Sequence, residues 1–128
     1  MSELLAVGIG GFIGSCFRYI LTKLTFGLTE SFPLGTLLSN VIAGFFIGFI
    51  IGLEQNSVTI SKRKKLFLTT GLMGGLSTFS TFSIETIDLF QSGKYILSVS
   101  NVLLNLVLSF IGVLAGLAVA KALIKHTA

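Results

Sequence analysis

The stretch that most constrains the fold is residues 71–83, Gly-Leu-Met-Gly-Gly-Leu-Ser-Thr-Phe-Ser-Thr-Phe-Ser. It lies in a charge-free interval of 19 positions, residues 66–84, close to the roughly 20 residues that span a bilayer as a helix. Paired glycines followed by a Ser/Thr run nevertheless disfavour a continuous helix, because glycine costs backbone entropy and hydroxyls compete for backbone hydrogen bonds. The sequence therefore predicts a membrane helix that is broken at about residues 74–78.

Other charge-poor intervals lie on either side of this one. Residues 31–53 and 95–120 carry no charge over 23 and 26 positions, and residues 4–22 carry only Arg18. Transmembrane β-strands would instead give alternating segments of about ten residues, which are missing. We predict an all-α integral membrane protein with one domain, residues 1–128, and four membrane-spanning helices at about residues 4–25, 34–53, 66–90 and 95–122.

The composition agrees with a membrane protein. The 128 residues are 52% hydrophobic and 11% charged, against about 25% charged in soluble domains. The single cysteine excludes a disulfide scaffold. The net charge of +4 arises largely from residues 62–65 beside a predicted span, where basic residues set topology or contact lipid headgroups. We therefore expect a multi-pass protein of the cell (inner) membrane that contacts lipid, binds no nucleic acid and is not an enzyme.

The basic residues also indicate an orientation. Four spans place both termini and the 55–65 loop on one side, with six basic residues against three on the other. This bias favours cytoplasmic termini. Glycines spaced by four, at positions 44, 48 and 52, 112 and 116, and 10 and 14, are typical of helices that pack closely in lipid.

Several polar side chains fall inside the predicted spans. Arg18 either reaches the membrane interface or serves function, since intramembrane charges are costly and usually functional. Asn40 is either a contact between helices or a donor that lines a pore. Asn101, Asn105 and Ser109 are four residues apart and form a polar track along one helical face.

Two phenylalanines follow the predicted break on one helical face. Phe79 and Phe82 are three residues apart, and Glu85 and Asp88 continue the same spacing. Packing explains most phenylalanines, but aromatic rings have positive edges that can contact a small anion in a narrow pore. Unwound backbone at membrane depth can in turn bind a cation through its carbonyl oxygens.

Three segments together resemble the small fluoride channels of the Fluc/CrcB family. Residues 10–19, GGFIGSCFRY, are similar to GGxxGxxxRY, and residues 35–40, GTLLSN, with Gly44, Phe45 and Gly48, are similar to GTLxxN…GxFxxG. Residues 74–85, GGLSTFSTFSIE, are similar to the more specific GGxTTFSTFxxE. The resemblance covers the whole chain in order.

The resemblance implies a fluoride-selective channel that exports fluoride passively and reduces its cytoplasmic toxicity. It also implies an antiparallel, dual-topology homodimer with two pores. A structural sodium ion at the dimer interface would be held by backbone carbonyls that match Gly74 and Ser77. Phe79, Phe82 and Asn40 match residues that line the pores, and Arg18 matches a positive residue near the aqueous vestibule. The remaining matches are the polar-track residues and the acidic residue of the third motif: Ser80, Thr81, Asn105, Ser109 and Glu85.

Two positions depart from the family pattern, and two other functions stay open. Ser77 stands where threonine is usual, and Asn101 stands where tyrosine is expected. A small multidrug–proton antiporter also has four spans and forms antiparallel dimers, but it needs a carboxylate in its first helix, where this chain has only Glu3 near the start. A structural membrane subunit without transport activity is the third alternative.

Overall fold

The computed structural model describes residues 2–127, and almost all of them are helical. The helices are α1 (Ser2–Thr25), α2 (Leu34–Gln55), α3 (Lys62–Leu66), α4 (Gly74–Leu76), α5 (Phe79–Gln91) and α6 (Tyr95–Thr127), with a π-helical segment, Phe67–Met73, between α3 and α4. Within residues 2–127 no strand forms, and Phe26 and Thr29 make an isolated β-bridge. The prediction of an all-α fold is confirmed.

Three helices are long and apolar enough to cross a membrane. They are α1, α2 and α6, with 24, 22 and 33 residues. Each contains one of the predicted spans at residues 4–25, 34–53 and 95–122. The predicted span at residues 66–90 is instead divided among several helical pieces.

The backbone of this divided region is interrupted at two residues. Helix α4 ends at Leu76, Ser77 and Thr78 are extended with ψ angles of 152° and 123°, and α5 begins at Phe79. The interruption thus lies at the C-terminal end of the 74–78 stretch singled out from the sequence. The paired glycines themselves stay helical, and the π-helical segment before them was not anticipated from the sequence.

Glycines bring the main helices into close contact. A Cβ atom added to Gly44 would lie 2.9 Å from the carbonyl oxygen of Ser109, and one added to Gly112 would lie 2.9 Å from that of Val41. These contacts join α2 to α6. On the other side of the fold, a Cβ on Gly75 would lie 2.5 Å from the carbonyl oxygen of Gly11. The predicted use of small residues for helix packing is confirmed at Gly44 and Gly112, whereas Gly75 was predicted only as part of the break.

The core of the single chain is small, and large apolar surfaces remain uncovered. Ala43, Met73 and Leu76 form its buried centre. By contrast, α6 exposes side chains along much of its length, including Ile96 (83% exposed), Phe110 (66%) and Leu114 (65%). Apolar surface on this scale indicates contact with lipid or with another chain.

Candidate functional site

The interruption between α4 and α5 is held by the side chain of Asn40 on α2. Its Oδ1 accepts a hydrogen bond from the Thr78 backbone N–H at 2.8 Å, and its Nδ2 donates to the Thr78 carbonyl at 3.3 Å. One amide side chain thus satisfies both backbone groups of an extended residue, groups that would be costly to leave unpaired in an apolar setting. Asn40 therefore joins α2 to the interruption.

The same amide begins a chain of hydrogen bonds that continues onto α6. Asn40 Nδ2 donates to Asn105 Oδ1 at 2.9 Å, and Asn105 Nδ2 donates to both the side-chain and backbone oxygens of Asn101, each at 2.9 Å. Asn101 Nδ2 donates to Thr86 Oγ1 at 2.9 Å. Asn101 and Asn105 are 0% and 5% exposed, so this face of α6 is a buried polar contact. Asn101 and Asn105 thus belong to one set of hydrogen-bonded side chains on this face of α6, and a track for ions along it stays a prediction.

A cleft of about 290 Å³ lies beside these hydrogen-bonded side chains. Six of the residues predicted for the ion pathway or the sodium site line it: Asn40, Ser77, Phe79, Phe82, Asn105 and Ser109. The rings of Phe79 and Phe82 are 5.5 Å apart between centroids and inclined at 55°. Phe82 is 8% exposed, whereas Phe79 is 76% exposed, and Phe110 on the α6 wall of the cleft is 66% exposed, so the cleft is open at Phe79 and Phe110.

Arg18 and Thr81 meet at the interruption but do not line this cleft. Arg18 Nε donates to the carbonyl oxygen of Gly75 at 3.2 Å, and its Nη1 donates to Thr81 Oγ1 at 3.4 Å. Thr78 Oγ1 donates to Thr81 Oγ1 at 3.1 Å and accepts from the Thr81 N–H at 3.2 Å, which caps the start of α5. The arginine therefore places its charge against the C-terminal end of α4.

Glu85 lies at a different place in the fold. Its Oε1 accepts a hydrogen bond from Thr36 Oγ1 at 2.8 Å, and its Oε2 is buried without a hydrogen-bond partner among residues 2–127. Glu85 lines a second cleft of about 570 Å³, formed with the loop between α1 and α2, and a third of about 190 Å³ that also contains Asp88 and Lys94. Glu85 thus borders these two clefts and does not line the cleft that contains Asn40.

The interruption frees two backbone carbonyls from helical hydrogen bonds. In an α-helix the N–H of residue i bonds to the carbonyl of residue i−4. The Thr78 N–H, which would bond to Gly74, is donated to Asn40 Oδ1. The Thr81 N–H, which would bond to Ser77, is donated to Thr78 Oγ1. These are the two carbonyls for which the resemblance implies sodium binding.

Some residues of this region were not singled out from the sequence. Thr36, Thr78 and Thr86 supply hydroxyl or backbone groups at three of the contacts above. Thr36 and Thr78 lie inside two of the three quoted motifs, which is the signal available for them, whereas Thr86 lies in none. Ser80, predicted for the polar track, is exposed and does not line the first cleft.

Comparison with known proteins gives consistent matches. The family model described as "CrcB-like protein, Camphor Resistance (CrcB)" matches residues 5–117. A protein of Clostridium novyi (strain NT), named "Fluoride-specific ion channel FluC", is 48% identical over 116 residues, which cover 90% of this chain and 91% of that protein. Proteins with the same name from Ruminiclostridium cellulolyticum and Serratia proteamaculans are each 43% identical, and the matches cover 94% and 83% of this chain and 94% and 84% of those proteins.

Proposed function

Because the chain belongs to the CrcB family, we propose that it is a fluoride-specific ion channel rather than an enzyme. The similar proteins named above carry this function in their names and match nearly the whole chain. Within the fold, the observation that carries the proposal is the cleft that brings the Asn40 amide together with the rings of Phe79 and Phe82.

The chemistry of this cleft suits a small anion. Fluoride holds its hydration shell strongly, so a selective pathway must replace water with hydrogen-bond donors. Asn40 Nδ2 is such a donor, and its longer bond, 3.3 Å to the Thr78 carbonyl, is the easier one to exchange for an ion. Ser109 adds a hydroxyl to the lining, and phenylalanine edges add a weak positive potential.

A pathway through this cleft needs a second chain. Phe79 is largely exposed at its open side, so one copy alone leaves the ion path open to the lipid. An antiparallel homodimer of dual topology would close it and produce two pores. In that assembly residues 66–90 form the third of four spans, broken at residues 77–78, and lipid covers the remaining apolar faces.

The freed carbonyls suit a structural sodium ion at the dimer interface. Gly74 and Ser77 lack the helical donors that Asn40 and Thr78 have taken, and unwound carbonyls commonly coordinate sodium in membrane proteins. The chain's own contribution is to hold these two oxygens away from helical bonds. The bound ion would supply positive charge that fixes the two chains together.

The charged side chains at the edges complete the proposed pathway. Arg18 keeps a positive charge beside the interruption, where it favours the approach of an anion. The proposed pathway continues along α5, which carries the polar-track residues Ser80 and Thr81 and the carboxylate of Glu85. Thr36 of α2 holds that carboxylate by a hydrogen bond. The membrane potential would drive accumulated fluoride out through the cell (inner) membrane and so relieve its toxicity.

An antiporter that exchanges protons for cationic drugs is not favoured. Within Ser2–Thr25 the only acid is Glu3. Its Oε1 is paired with Lys62 Nζ at 3.1 Å, and both side chains are largely exposed. A first helix of this kind offers no buried carboxylate for proton exchange.

The test is an efflux measurement on purified protein in liposomes. With a potassium ionophore to set the voltage, we expect rapid release of fluoride and retention of chloride. Absence of fluoride efflux, or equal chloride efflux, would refute the channel. Antiparallel insertion is tested separately by replacing Cys16 and labelling single cysteines placed in the 55–65 loop, which should react from both sides of the membrane.

A further inference from the structure

The hydrogen bonds that run from Thr86 to Asn40 have a fixed direction. Thr86 Oγ1 donates its only proton to the carbonyl of Phe82 at 2.8 Å, so towards Asn101 it can act only as an acceptor. Asn101 must therefore turn its NH₂ group to Thr86 and its oxygen to Asn105. Asn105 must in turn direct its NH₂ group to Asn101 and its oxygen to Asn40.

This order agrees with the orientation that Thr78 imposes, since the Thr78 N–H can only donate, and the two together fix what Asn40 presents to the cleft. With Asn105 Oδ1 as its partner, Asn40 directs its NH₂ group towards Asn105 and its oxygen towards the Thr78 N–H. A reversed amide at Asn101 or Asn105 would place two oxygens or two NH₂ groups face to face. Because these side chains are buried, such a mismatch would not be relieved by water.

We propose that Asn101 and Thr86 are positioning residues for the ion pathway, which together with Thr78 hold the Asn40 amide so that it offers N–H groups to an anion. The inference rests on the proposed function. Neither residue lines the cleft that contains Phe79, so both act through Asn105. Asn101 stands where the family pattern has tyrosine, so this way of orienting the amide follows from this chain's own residues.

The test compares Thr86→Val, which removes the acceptor at nearly constant volume, with Thr86→Ser, which restores it. Ser98→Ala is the matched control, because Ser98 Oγ donates to the backbone carbonyl of the same Thr86 at 2.8 Å and is itself buried between α5 and α6. We expect Thr86→Val and Asn101→Leu to raise the half-saturating fluoride concentration about tenfold, the effect of losing roughly one buried hydrogen bond. Thr86→Ser and Ser98→Ala should stay near the wild type.

The outcomes separate this inference from the proposed function. A wild-type protein that conducts fluoride, with Thr86→Val unchanged or no worse than Ser98→Ala, would overturn the positioning role alone. A wild-type protein that conducts no fluoride would overturn the channel itself. The orientation of the Asn40 amide can also be measured without ion flux, by NMR. The side-chain amide signals of Asn40 should shift in Thr86→Val and not in Ser98→Ala. Unshifted signals in Thr86→Val would contradict the positioning role.

An independent observation concerns the four consecutive basic residues at positions 62–65. Lys62 pairs with Glu3, and Lys65 Nζ lies 2.7 Å from Glu54 Oε2. Arg63 and Lys64 make no ion pair with any carboxylate of the part of the chain from 2 to 127. These two uncompensated cations border an apolar cleft of about 330 Å³, completed by Ala6, Phe67 and Leu68.

We infer that this cleft binds an anionic phospholipid, with an acyl chain against Phe67 and Leu68 and the phosphate between Arg63 and Lys64. Basic side chains at the membrane boundary attract anionic headgroups, and basic pockets between helices can bind them specifically. The apolar walls favour a lipid over a free phosphate ion, which has nothing to place against them. Glu3 and Glu54 neutralise Lys62 and Lys65. The attraction for an anionic headgroup is therefore strongest at Arg63 and Lys64, beside the cleft.

Two double variants with the same charge change test the site. Native mass spectrometry of protein released from phosphatidylglycerol or phosphatidylcholine vesicles should show phosphatidylglycerol retained by the wild type and by Lys62→Gln/Lys65→Gln. Arg63→Gln/Lys64→Gln should lose most of it while fluoride efflux persists. Equal loss in both variants, no preference for phosphatidylglycerol, or displacement of the lipid by inorganic phosphate would overturn the assignment.

Discussion

The Nε atom of Arg18 lies 3.2 Å from the carbonyl oxygen of Gly75, two residues before the backbone interruption. The second contact of the same guanidinium, from Nη1 to Thr81 Oγ1 at 3.4 Å, lies beyond the interruption. One side chain of α1 thus bridges α4 and α5, the two helices that the extended residues separate.

We predict that Arg18→Lys weakens this bridge and that Arg18→Met removes it. A lysine ammonium is a compact point charge without the planar fork of arginine, so it should keep one of the two contacts at most. Thermal unfolding in detergent should show a loss of about 1–2 kcal/mol for Arg18→Met and a smaller one for Arg18→Lys. Equal stability of all three proteins would show that the bridge does not hold the two helices together.

The close contact of α2 and α6 gives a second prediction. Cβ atoms at Gly48 and Gly116 would collide with the backbone carbonyls of Val113 and Phe45. Gly48→Ala and Gly116→Ala should therefore push the helices apart and lower the melting temperature. Gly8→Ala is the matched control, because Gly8 has no atom within 4 Å of its added Cβ and should gain up to about 1 kcal/mol from helix propensity. Similar losses at all three positions would argue against a packing role.

The sequence was sufficient to predict α1, α2 and α6 and a break within residues 74–78, but not the two residues at which the backbone is interrupted. Charge-free intervals reflect the length of a bilayer span, which is why α1, α2 and α6 could be predicted from them. Gly74 and Gly75 indicated a flexible backbone, yet both are helical, and Gly75 is small because it packs on Gly11. The interruption lies at residues 77–78, where the Asn40 side chain accepts the Thr78 N–H, a contact across 38 residues that local sequence does not contain. The Thr78 hydroxyl accepts the Thr81 N–H, which is a local contact.

The candidate site could be predicted from the sequence where residues of the motifs line one cleft. Asn40, Phe79 and Phe82 fall together there, because they lie on neighbouring helices that the interruption brings to one depth. The role of Asn101 was less evident, because its significance depends on Thr86, a residue of α5 that no motif marked. The direction of hydrogen bonds along a buried row of side chains depends on all of the partners together, so it cannot be inferred from one residue.

The two phenylalanines of the cleft should differ in their effects. Phe82 is 8% exposed and Phe79 is 76% exposed, so Phe82→Ala should cost roughly 3–5 kcal/mol of stability, as for other buried aromatics. Phe79→Ala should cost the isolated chain little. The milder changes Phe79→Ile and Phe82→Ile should both depress fluoride flux while the dimer persists in size-exclusion chromatography. Unchanged flux in both would leave the rings as packing groups only.

Replacement of sodium provides the last prediction, because the proposed site consists of backbone oxygens that no side-chain substitution removes. Sodium held by the Gly74 and Ser77 carbonyls would link two copies, so exchange of sodium for N-methylglucamine should lower fluoride flux and weaken the dimer together.

The structure also offers a variant that alters the sodium site indirectly. Asn40→Leu releases the Thr78 N–H, which can then bond to the Gly74 carbonyl as in a regular helix and compete with the ion. We therefore expect Asn40→Leu to need more sodium for dimerisation, whereas Ser98→Ala should behave as the wild type. Dimerisation that is indifferent to sodium in all three proteins would contradict the sodium site.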